Sequence, residues 1–195
     1  MVLHSAQAQS DEELLLRYGA GEADAARQIT ARLVPRVLTH ATRLLGGDRA
    51  EAEDVAQEAM MRLWRAAPEW RQGEAKVTTW LYRVVANLAV DRLRKRKGGM
   101  AALDEVAEPM DERPTAHEAI AEGQRLAALH QALGELPERQ REAVVLRHIE
   151  GLSNPEIAEI MQIGLEAVES LTARGKRALA AKLSGQRENL GYHGG

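Results

Sequence analysis

The chain has 195 residues, a formal net charge of −3 and a pI of about 6.1, which excludes a protein that coats DNA nonspecifically. It contains no cysteine, which excludes disulfides and thiolate metal sites. Aromatic residues make up 3% of the chain and Phe is absent, so the core must be built from aliphatic side chains and Met. Such a core suits helical bundles better than sheets.

Helical periodicity divides the chain into two regions separated by a segment of different composition. Residues 11–97 contain several helical segments with short glycine- and proline-containing breaks. Residues 98–115 are rich in glycine, proline and acidic residues, as is typical of a flexible linker. Helical periodicity returns over residues 116–183, and residues 184–195 are expected to form a frayed tail. The sequence therefore predicts an all-α fold of two small helical domains joined by a flexible linker.

The first informative segment is the predicted helix over residues 50–64. One of its faces carries acidic, amide and thioether side chains: Asp54, Gln57, Glu58 and Met61. Beside an exposed Trp64, these groups form a mixed patch that suits contact with protein rather than with nucleic acid. A solvent-exposed helix face with Trp64 in the core is the simpler alternative.

A second predicted helix, over residues 83–97, is apolar on one side and basic on the other. The apolar stripe recurs at helical spacing and consists of Leu81, Val84, Val85 and Leu88. Arg83, Asn87 and Arg94 follow one another at offsets of four and seven residues and share the opposite face. Such a face suits a helix that lies along phosphates while one side chain reaches a base. For a lone basic helix, a solvated charged face is the alternative.

The C-terminal region has the pattern of a helix-turn-helix. Ser153 and Glu156 form a capping-box pair at a helix start, and Gly164 is expected to permit the turn. The second helix is expected to bury Leu165, Val168, Thr172 and Leu179. Its polar outer face carries Glu169, Ser170, Ala173, Arg174 and Arg177. In such motifs the second helix enters the major groove of DNA.

In this order, the segments resemble those of extracytoplasmic-function (ECF) sigma factors of the sigma-70 family. Residues 50–64 resemble region 2.2, which docks on the clamp helices of RNA polymerase. Residues 79–94, with Thr-Trp-Leu-Tyr-Arg at their start, resemble the segments that melt and read the minus-ten element. Residues 136–141 and 151–158 resemble region 4, which reads the minus-thirty-five element. The resemblance covers nearly everything except the linker and the tails.

The resemblance implies which residues bind each partner. Those implied to bind polymerase are Asp54, Gln57, Glu58, Arg62 and Leu63. Those implied to bind DNA are Arg83, Asn87 and Arg94 near the minus-ten element, and Ser170, Arg174, Lys176 and Arg177 near the minus-thirty-five element. The loop from Arg71 to Lys76 is implied to capture an unstacked base together with Asn87. An apolar side of region 4 is implied to meet the polymerase flap: Leu133, Leu136, Val144 and Val145.

Two positions depart from the family pattern. Met60 stands where the family favours Phe, and Met fills such a space with less shape specification. Glu169 stands where a cation is common in the recognition helix. A carboxylate there can accept a hydrogen bond from cytosine N4 but is repelled by phosphate. The minus-thirty-five sequence therefore cannot be transferred from better-matched relatives.

The resemblance also implies partners and regulation. Core RNA polymerase and promoter DNA are the expected partners, and a net-acidic chain with basic helices fits DNA contact made with the help of a larger protein. An anti-sigma factor is expected to cover the polymerase-binding surfaces and silence a stress regulon. The sequence is most similar to sigma-E factors partnered with zinc-dependent, soluble anti-sigma proteins that respond to singlet oxygen. No signal-like or membrane-spanning apolar run occurs, so a cytoplasmic protein is expected.

Two other classes of function are possible from the residues alone. An enzyme would need a metal or catalytic cluster, but the six histidines are dispersed and no phosphate-binding loop or nucleophile motif occurs. We therefore expect no catalysis, no cofactor and no metal. A dimeric helix-turn-helix repressor would explain residues 153–179 but would leave the N-terminal half without a role. It predicts tight operator binding without polymerase.

Overall fold

The computed structural model describes residues 9–71, 73, 76–98 and 116–189, and every regular element in these ranges is helical. The N-terminal domain contains α1 (Asp11–Gly19), α2 (Ala23–Leu44), α3 (Arg49–Ala66) and α4 (Val77–Gly98), with a 3-10 turn at Ala67–Glu69. The C-terminal domain contains α5 (Ala116–Gly134), α6 (Glu138–Val144), α7 (Asn154–Met161) and α8 (Leu165–Asn189). A π-helical turn, Val145–Ile149, continues α6. The predicted all-α class is confirmed.

Local sequence signals determine several helix ends. The Asp48 Oδ1 atom accepts a hydrogen bond from the Glu51 backbone N–H at 3.2 Å and caps α3. The predicted linker lies outside the described residues apart from Gly98, which ends α4. Helix α8 continues to Asn189, so the first residues of the predicted tail are helical. Just before the predicted tail, Lys182 Nζ lies 2.6 Å from Glu135 Oε2. This ion pair joins α8 to the residue that follows α5. None of the helices in the described ranges has the length and apolarity that a membrane span requires.

The turn of the helix-turn-helix differs from its predicted form. The residue with positive φ is Gln162, at φ 53° and ψ 50°, and Gly164 is not among the residues with positive φ. Val168 is fully buried as expected, and Thr172 and Leu179 are partly buried. The prediction for Leu165 is wrong, because its side chain is 50% exposed. Leu165 is the first residue of α8, and the described residues around it cover only half of its side chain.

Close packing in the C-terminal domain depends on a glycine within α8. A Cβ atom at Gly175 would lie 2.5 Å from Val144 Cγ2 and 2.8 Å from the Gln140 carbonyl oxygen. Gly175 therefore lets α8 lie against α6 more closely than any other residue would permit. This contact orients the exposed face of α8.

The two domains pack directly against each other, which the sequence did not predict. One core cluster combines N-terminal residues such as Leu44 and Leu81 with four residues of the C-terminal domain: Leu133, Leu136, Val144 and Val145. A second cluster places Tyr82 of α4 among apolar residues of α6, α7 and α8, including Ile157 and Val168. The cores of the two domains are therefore continuous in this arrangement.

Candidate functional site

The exposed face of α3 carries most of the residues predicted to bind polymerase. The Asp54 side chain is 62% exposed, Gln57 is exposed, and Glu58 and Arg62 form an ion pair at 2.8 Å across one helical turn. The hydrogen bond from Arg62 lowers the pKa of Glu58 below its ordinary value. Leu63, by contrast, is fully buried. The prediction that Leu63 contacts polymerase is wrong for this structure, because its side chain faces the domain core.

An apolar groove lies beside this face, between α2 and α3. Its volume is about 320 Å³, and its lining consists of Val34, Leu38, Glu53, Ala56, Gln57, Met60, Met61 and Trp64. The Met61 side chain is 40% exposed at its edge. The sequence did not predict the α2 side of this groove. The signal was present in the pairs Leu33-Val34 and Val37-Leu38, which make the apolar stripe of α2 wider than the buried core needs.

The basic face of α4 is open to solvent. Leu81 and Val85 are buried on the opposite side, while Asn87 and Arg94 are exposed and Arg83 is partly exposed. Among the described residues, none of these three polar side chains has a side-chain hydrogen bond or ion pair. Further along α4, Arg92 forms ion pairs with Glu51 at 2.6 Å and with Asp54 at 3.2 Å. These pairs join the basic helix to the acidic face of α3.

The outer face of α8 is also exposed. It carries the predicted DNA-binding residues and the departure from the family pattern: Glu169, Ser170, Arg174, Lys176 and Arg177. The Arg174 Nε atom donates to the Ser170 carbonyl oxygen at 3.3 Å, which directs this side chain along the helix. Nearby, burial together with the positive charges of Lys176 and Arg147 lowers the pKa of His148. Lys176 and Arg147 therefore make the surroundings of His148 positive, although the whole chain carries a net negative charge.

The proposed base-capturing loop is only partly described, since residues 72, 74 and 75 lie outside the described residues. Its last residue, Lys76, contacts the C-terminal domain, with Nζ 2.8 Å from Glu156 Oε1. The carboxylate of Glu156 also accepts hydrogen bonds from the backbone N–H and hydroxyl of Ser153. The bond from Lys76, followed by those from Ser153, lowers the pKa of Glu156 to about 2. One end of the loop is therefore engaged by the helix-turn-helix.

The apolar residues predicted to meet the polymerase flap are covered in this arrangement. Leu133 and Val145 are fully buried, Val144 is 1% exposed and Leu136 is 3% exposed. They belong to the core cluster shared with the N-terminal domain. Contact with the flap would require rearrangement around them.

In the described residues, no group of three or more His, Asp or Glu side chains has a geometry that could hold a metal ion. Glu53 is exposed and forms an ion pair with Arg49 at 3.0 Å. His40 is buried and bonded to Glu150, whereas His148 lies at the surface. The exposed surfaces described above are therefore the candidate functional sites.

Comparison with known proteins identifies two family segments. The family model described as Sigma-70 region 2 matches residues 29–98, and that described as Sigma-70, region 4 matches residues 126–179. The chain is 34% identical over 174 residues to the ECF RNA polymerase sigma factor SigM of Mycobacterium tuberculosis, covering 89% of this chain and 85% of SigM. It is 30% identical over 172 residues to the ECF RNA polymerase sigma factor SigW of Bacillus subtilis, covering 84% of this chain and 91% of SigW.

Two solved structures share the fold across both domains. The structure of CnrH in complex with the cytosolic domain of CnrY matches with a TM-score of 0.67 and 26% identity, covering 91% of this chain and 99% of that one. The CnrH of Cupriavidus metallidurans is named as an RNA polymerase sigma factor. The sigma factor RpoE of Bartonella quintana, in complex with the anti-sigma factor NepR, matches with a TM-score of 0.65 over 81% of this chain. At 22% identity, that second likeness concerns the fold alone.

Proposed function

The chain belongs to the ECF RNA polymerase sigma factors, and on this basis we propose that it directs core polymerase to a defined set of promoters. One observation carries the proposal. A single chain presents a solvent-exposed face of cations and an amide on α4 and an exposed helix-turn-helix face on α8. Together these supply two separate DNA-reading elements, whereas a helix-turn-helix repressor needs only one.

Polymerase binding is assigned to α3 and the adjacent groove. Asp54, Gln57 and Glu58 offer acceptors and an amide at the rim, and Met61 offers exposed apolar surface. A protein interface of this kind combines an apolar centre with a polar rim. Arg62 contributes through its ion pair with Glu58, which keeps that carboxylate charged. Leu63 supports the face from within the core.

Promoter reading is divided between the two domains. On α4, Asn87 would hydrogen-bond the edge of an unstacked base, while Arg83 and Arg94 would contact phosphates. On α8, Ser170 and Arg174 would face the duplex, with Lys176 and Arg177 as phosphate contacts. Glu169 would favour a cytosine at one position, since a carboxylate can accept from N4. The protein itself would perform no chemical step.

Each domain receives a role in this proposal. Residues 11–97 would bind polymerase and the minus-ten element, and residues 116–183 would bind the minus-thirty-five element, with α8 continuing beyond them. Residues 98–115 would be the connector, and residues 184–195 the tail. The protein would act in the cytoplasm, where polymerase and promoter DNA are found, and would need no cofactor or metal of its own.

An anti-sigma factor is proposed to hold the protein inactive until a stress signal arrives. The support is the likeness to CnrH, whose structure was determined in complex with the cytosolic domain of CnrY. The groove beside α3 offers such a partner the same apolar surface that polymerase would use. That the partner binds zinc and responds to singlet oxygen stays a prediction from the resemblance to sigma-E factors.

Polymerase docking is tested by titrating core polymerase with labelled variants of the full chain. Asp54→Ala and Gln57→Ala should each weaken binding several-fold, because both side chains lie on the proposed docking face. Neither should change the free energy of unfolding by more than about 0.5 kcal/mol, since exposed substitutions seldom do. Asp24→Ala, which removes an exposed carboxylate from α2, is the control and should bind normally. Unchanged affinity in both docking variants would remove the assignment to α3.

Promoter reading is tested by transcription in vitro with core polymerase on a genomic library, sequencing the start sites. Asn87→Ala should alter the ranking of promoters, because an amide that reads a base edge carries about 1–3 kcal/mol of discrimination. Arg94→Ala should weaken all promoters by a similar factor, as loss of a phosphate contact does. If the promoter ranking is the same for wild type and Asn87→Ala, then Asn87 does not read a base.

A further inference from the structure

The contact between the domains is organised around one carboxylate. Glu150 follows the π-helical turn of the C-terminal domain and accepts hydrogen bonds from Arg43 Nη1 at 2.9 Å and Tyr82 Oη at 2.9 Å. Its Oε1 atom also lies 3.3 Å from Nδ1 of His40, which is fully buried. All three partners belong to the N-terminal domain. We call these four residues the Glu150 cluster.

Three further contacts join the same two domains. The buried guanidinium of Arg141 donates to the Leu44 carbonyl oxygen at the end of α2 and, within its own domain, to that of Gly134 at 2.8 Å. Nearby the two backbones approach closely, since a Cβ atom at Gly46 would lie 3.0 Å from the Cα of Gly134. The third of these contacts is the exposed ion pair between Lys76 and Glu156. Charge, hydrogen bonding and backbone proximity therefore all act between the same two domains.

The resulting closed arrangement is too short to read a whole promoter. Elements centred at minus ten and minus thirty-five are separated by about 25 base pairs, or about 85 Å of B-form DNA. A compact chain of this length is only about 40 Å across. The 17 residues between Gly98 and Ala116 could span at most about 60 Å. The connector is thus long enough for the domains to separate, and simultaneous contact with both elements requires that they do.

The contact also contains polar atoms that are buried without a partner among the described residues. These include Nε2 of His40 and Nε of Arg141. An unsatisfied buried donor or acceptor opposes the folded arrangement, because the same atom can bond to water once it is exposed. Opening the domains would hydrate both groups, as expected of a contact that forms and breaks rather than of a permanent core.

We propose that the Glu150 cluster is an intramolecular lock that keeps the free protein closed and must open before it binds polymerase productively. In the closed state the apolar residues assigned to the flap are covered, Leu136 and Val144 among them, and Lys76 of the base-capturing loop bonds to Glu156. Polymerase would therefore bind the open state preferentially. The apparent affinity for polymerase is then the affinity of the open state multiplied by the fraction of the chain that is open. This inference rests on the proposed function for its consequence, but not for the closing contact itself.

The closing contact is tested by the distance between two spin labels on the full chain. Because the natural chain has no cysteine, cysteines placed at the exposed positions Ala20 and Ala180 can be labelled specifically. Wild type should give one short, narrow distance distribution. Glu150→Gln should shift most of the population to longer, broader distances, because it leaves Arg43 without its anionic partner. Glu122→Gln removes an exposed carboxylate from the same domain and should match wild type.

A steric variant tests the same contact without changing charge. Gly46→Leu places a Cβ atom 3.0 Å from the Gly134 Cα and should open the chain, whereas Gly21→Leu, at another residue with positive φ, meets nothing within 4 Å. Tyr82→Phe removes only the hydroxyl that donates to Glu150, and it should open the chain less than Glu150→Gln does. Circular dichroism of each variant should retain the helical signal of wild type.

Polymerase titrations then decide whether the lock matters for binding. Glu150→Gln and Gly46→Leu should each lower the apparent Kd for core polymerase about tenfold, and the two controls, Glu122→Gln and Gly21→Leu, should leave it unchanged. Label distances that match wild type in both opening variants would overturn the proposal. So would an opened chain that binds polymerase no more tightly than wild type. If wild type itself does not bind polymerase, the proposed function fails, while the label distances still decide whether Glu150 closes the chain.

Discussion

The acidic face of α3 and the Glu150 cluster both consist of carboxylates paired with arginine, yet they differ in environment. On α3, Glu58 and Arg62 are 36% and 46% exposed and belong to the same helix. In the cluster, Glu150 and Arg43 are 14% and 22% exposed and belong to different domains. Water screens the first pair and leaves it free to exchange partners, whereas the second pair is shielded and determines how the domains sit together.

This difference separates residues that contact a partner from residues that control whether the contact can occur. An exposed ion pair contributes little to stability, so α3 can give up its internal bonds to a partner at small cost. Removing the donors of Glu150, a partly buried carboxylate with three partners, should cost much more stability. The difference should appear in the free energy of unfolding of variants, and the largest effect is expected at Arg141.

The largest contrast in stability is expected between two arginines. Arg141→Ala removes a buried guanidinium that donates to three carbonyl oxygens, including those of Leu44 and Leu136, and should lower the free energy of unfolding by about 3–5 kcal/mol. Arg62→Ala should lower it by less than about 0.5 kcal/mol, because its only described partner is exposed Glu58. Urea titrations of both variants measure the two values. Similar losses would mean that the contact around Arg141 is hydrated in solution.

The second contrast concerns acid. Burial opposes ionisation of Glu150, but hydrogen bonds from His40 and Tyr82 and the charge of Arg43 outweigh it and lower the pKa from 4.5 to about 2. A depressed carboxyl pKa stabilises the fold fully above the unfolded value near 4.5, and that contribution is lost as pH falls towards 2. Wild type should therefore exceed Glu150→Gln in free energy of unfolding by about 3 kcal/mol at pH 7, and the difference should shrink between pH 4.5 and 2.

Urea titrations at pH 7, 4, 3 and 2.5 check this window. Glu122→Gln is the control, since this exposed carboxylate has no described partner, and its difference from wild type should stay near zero at every pH. If wild type exceeds Glu150→Gln in free energy of unfolding by the same amount at pH 7 and at pH 2.5, Glu150 is not ionised in the closed arrangement.

The smallest expected effect is the coupling energy within each ion pair. A double-mutant cycle on Glu58 and Arg62 should give about 0.3–0.5 kcal/mol at low salt and almost nothing at 1 M salt. The same cycle on Arg43 and Glu150 should give about 1 kcal/mol or more and should retain most of it at 1 M salt, because the pair is shielded. Equal salt sensitivity of the two cycles would show that both pairs are solvated alike.

Much of this protein was determined by local sequence. The helices, the cap at Asp48, the start of α6 after Pro137 and the helix-turn-helix follow from patterns within a few residues. The family, confirmed by relatives that cover most of the chain, was recognisable from the same short motifs. Local patterns were less reliable for the surroundings of single residues. Leu63 is buried, Leu165 is exposed, and the left-handed turn residue is Gln162 rather than Gly164.

Only the tertiary structure decided how the two domains meet. Glu150 bonds to His40 and Arg43, which precede it by 110 and 107 residues, and to Tyr82, which precedes it by 68. No periodicity within a helix relates positions so far apart, and the isolated sequence around Glu150 shows no sign of buried donors. The groove beside α3 is likewise completed by α2, a different helix. Sequence periodicity determines which side of a helix is apolar, whereas packing between helices determines which apolar and charged groups remain exposed to a partner.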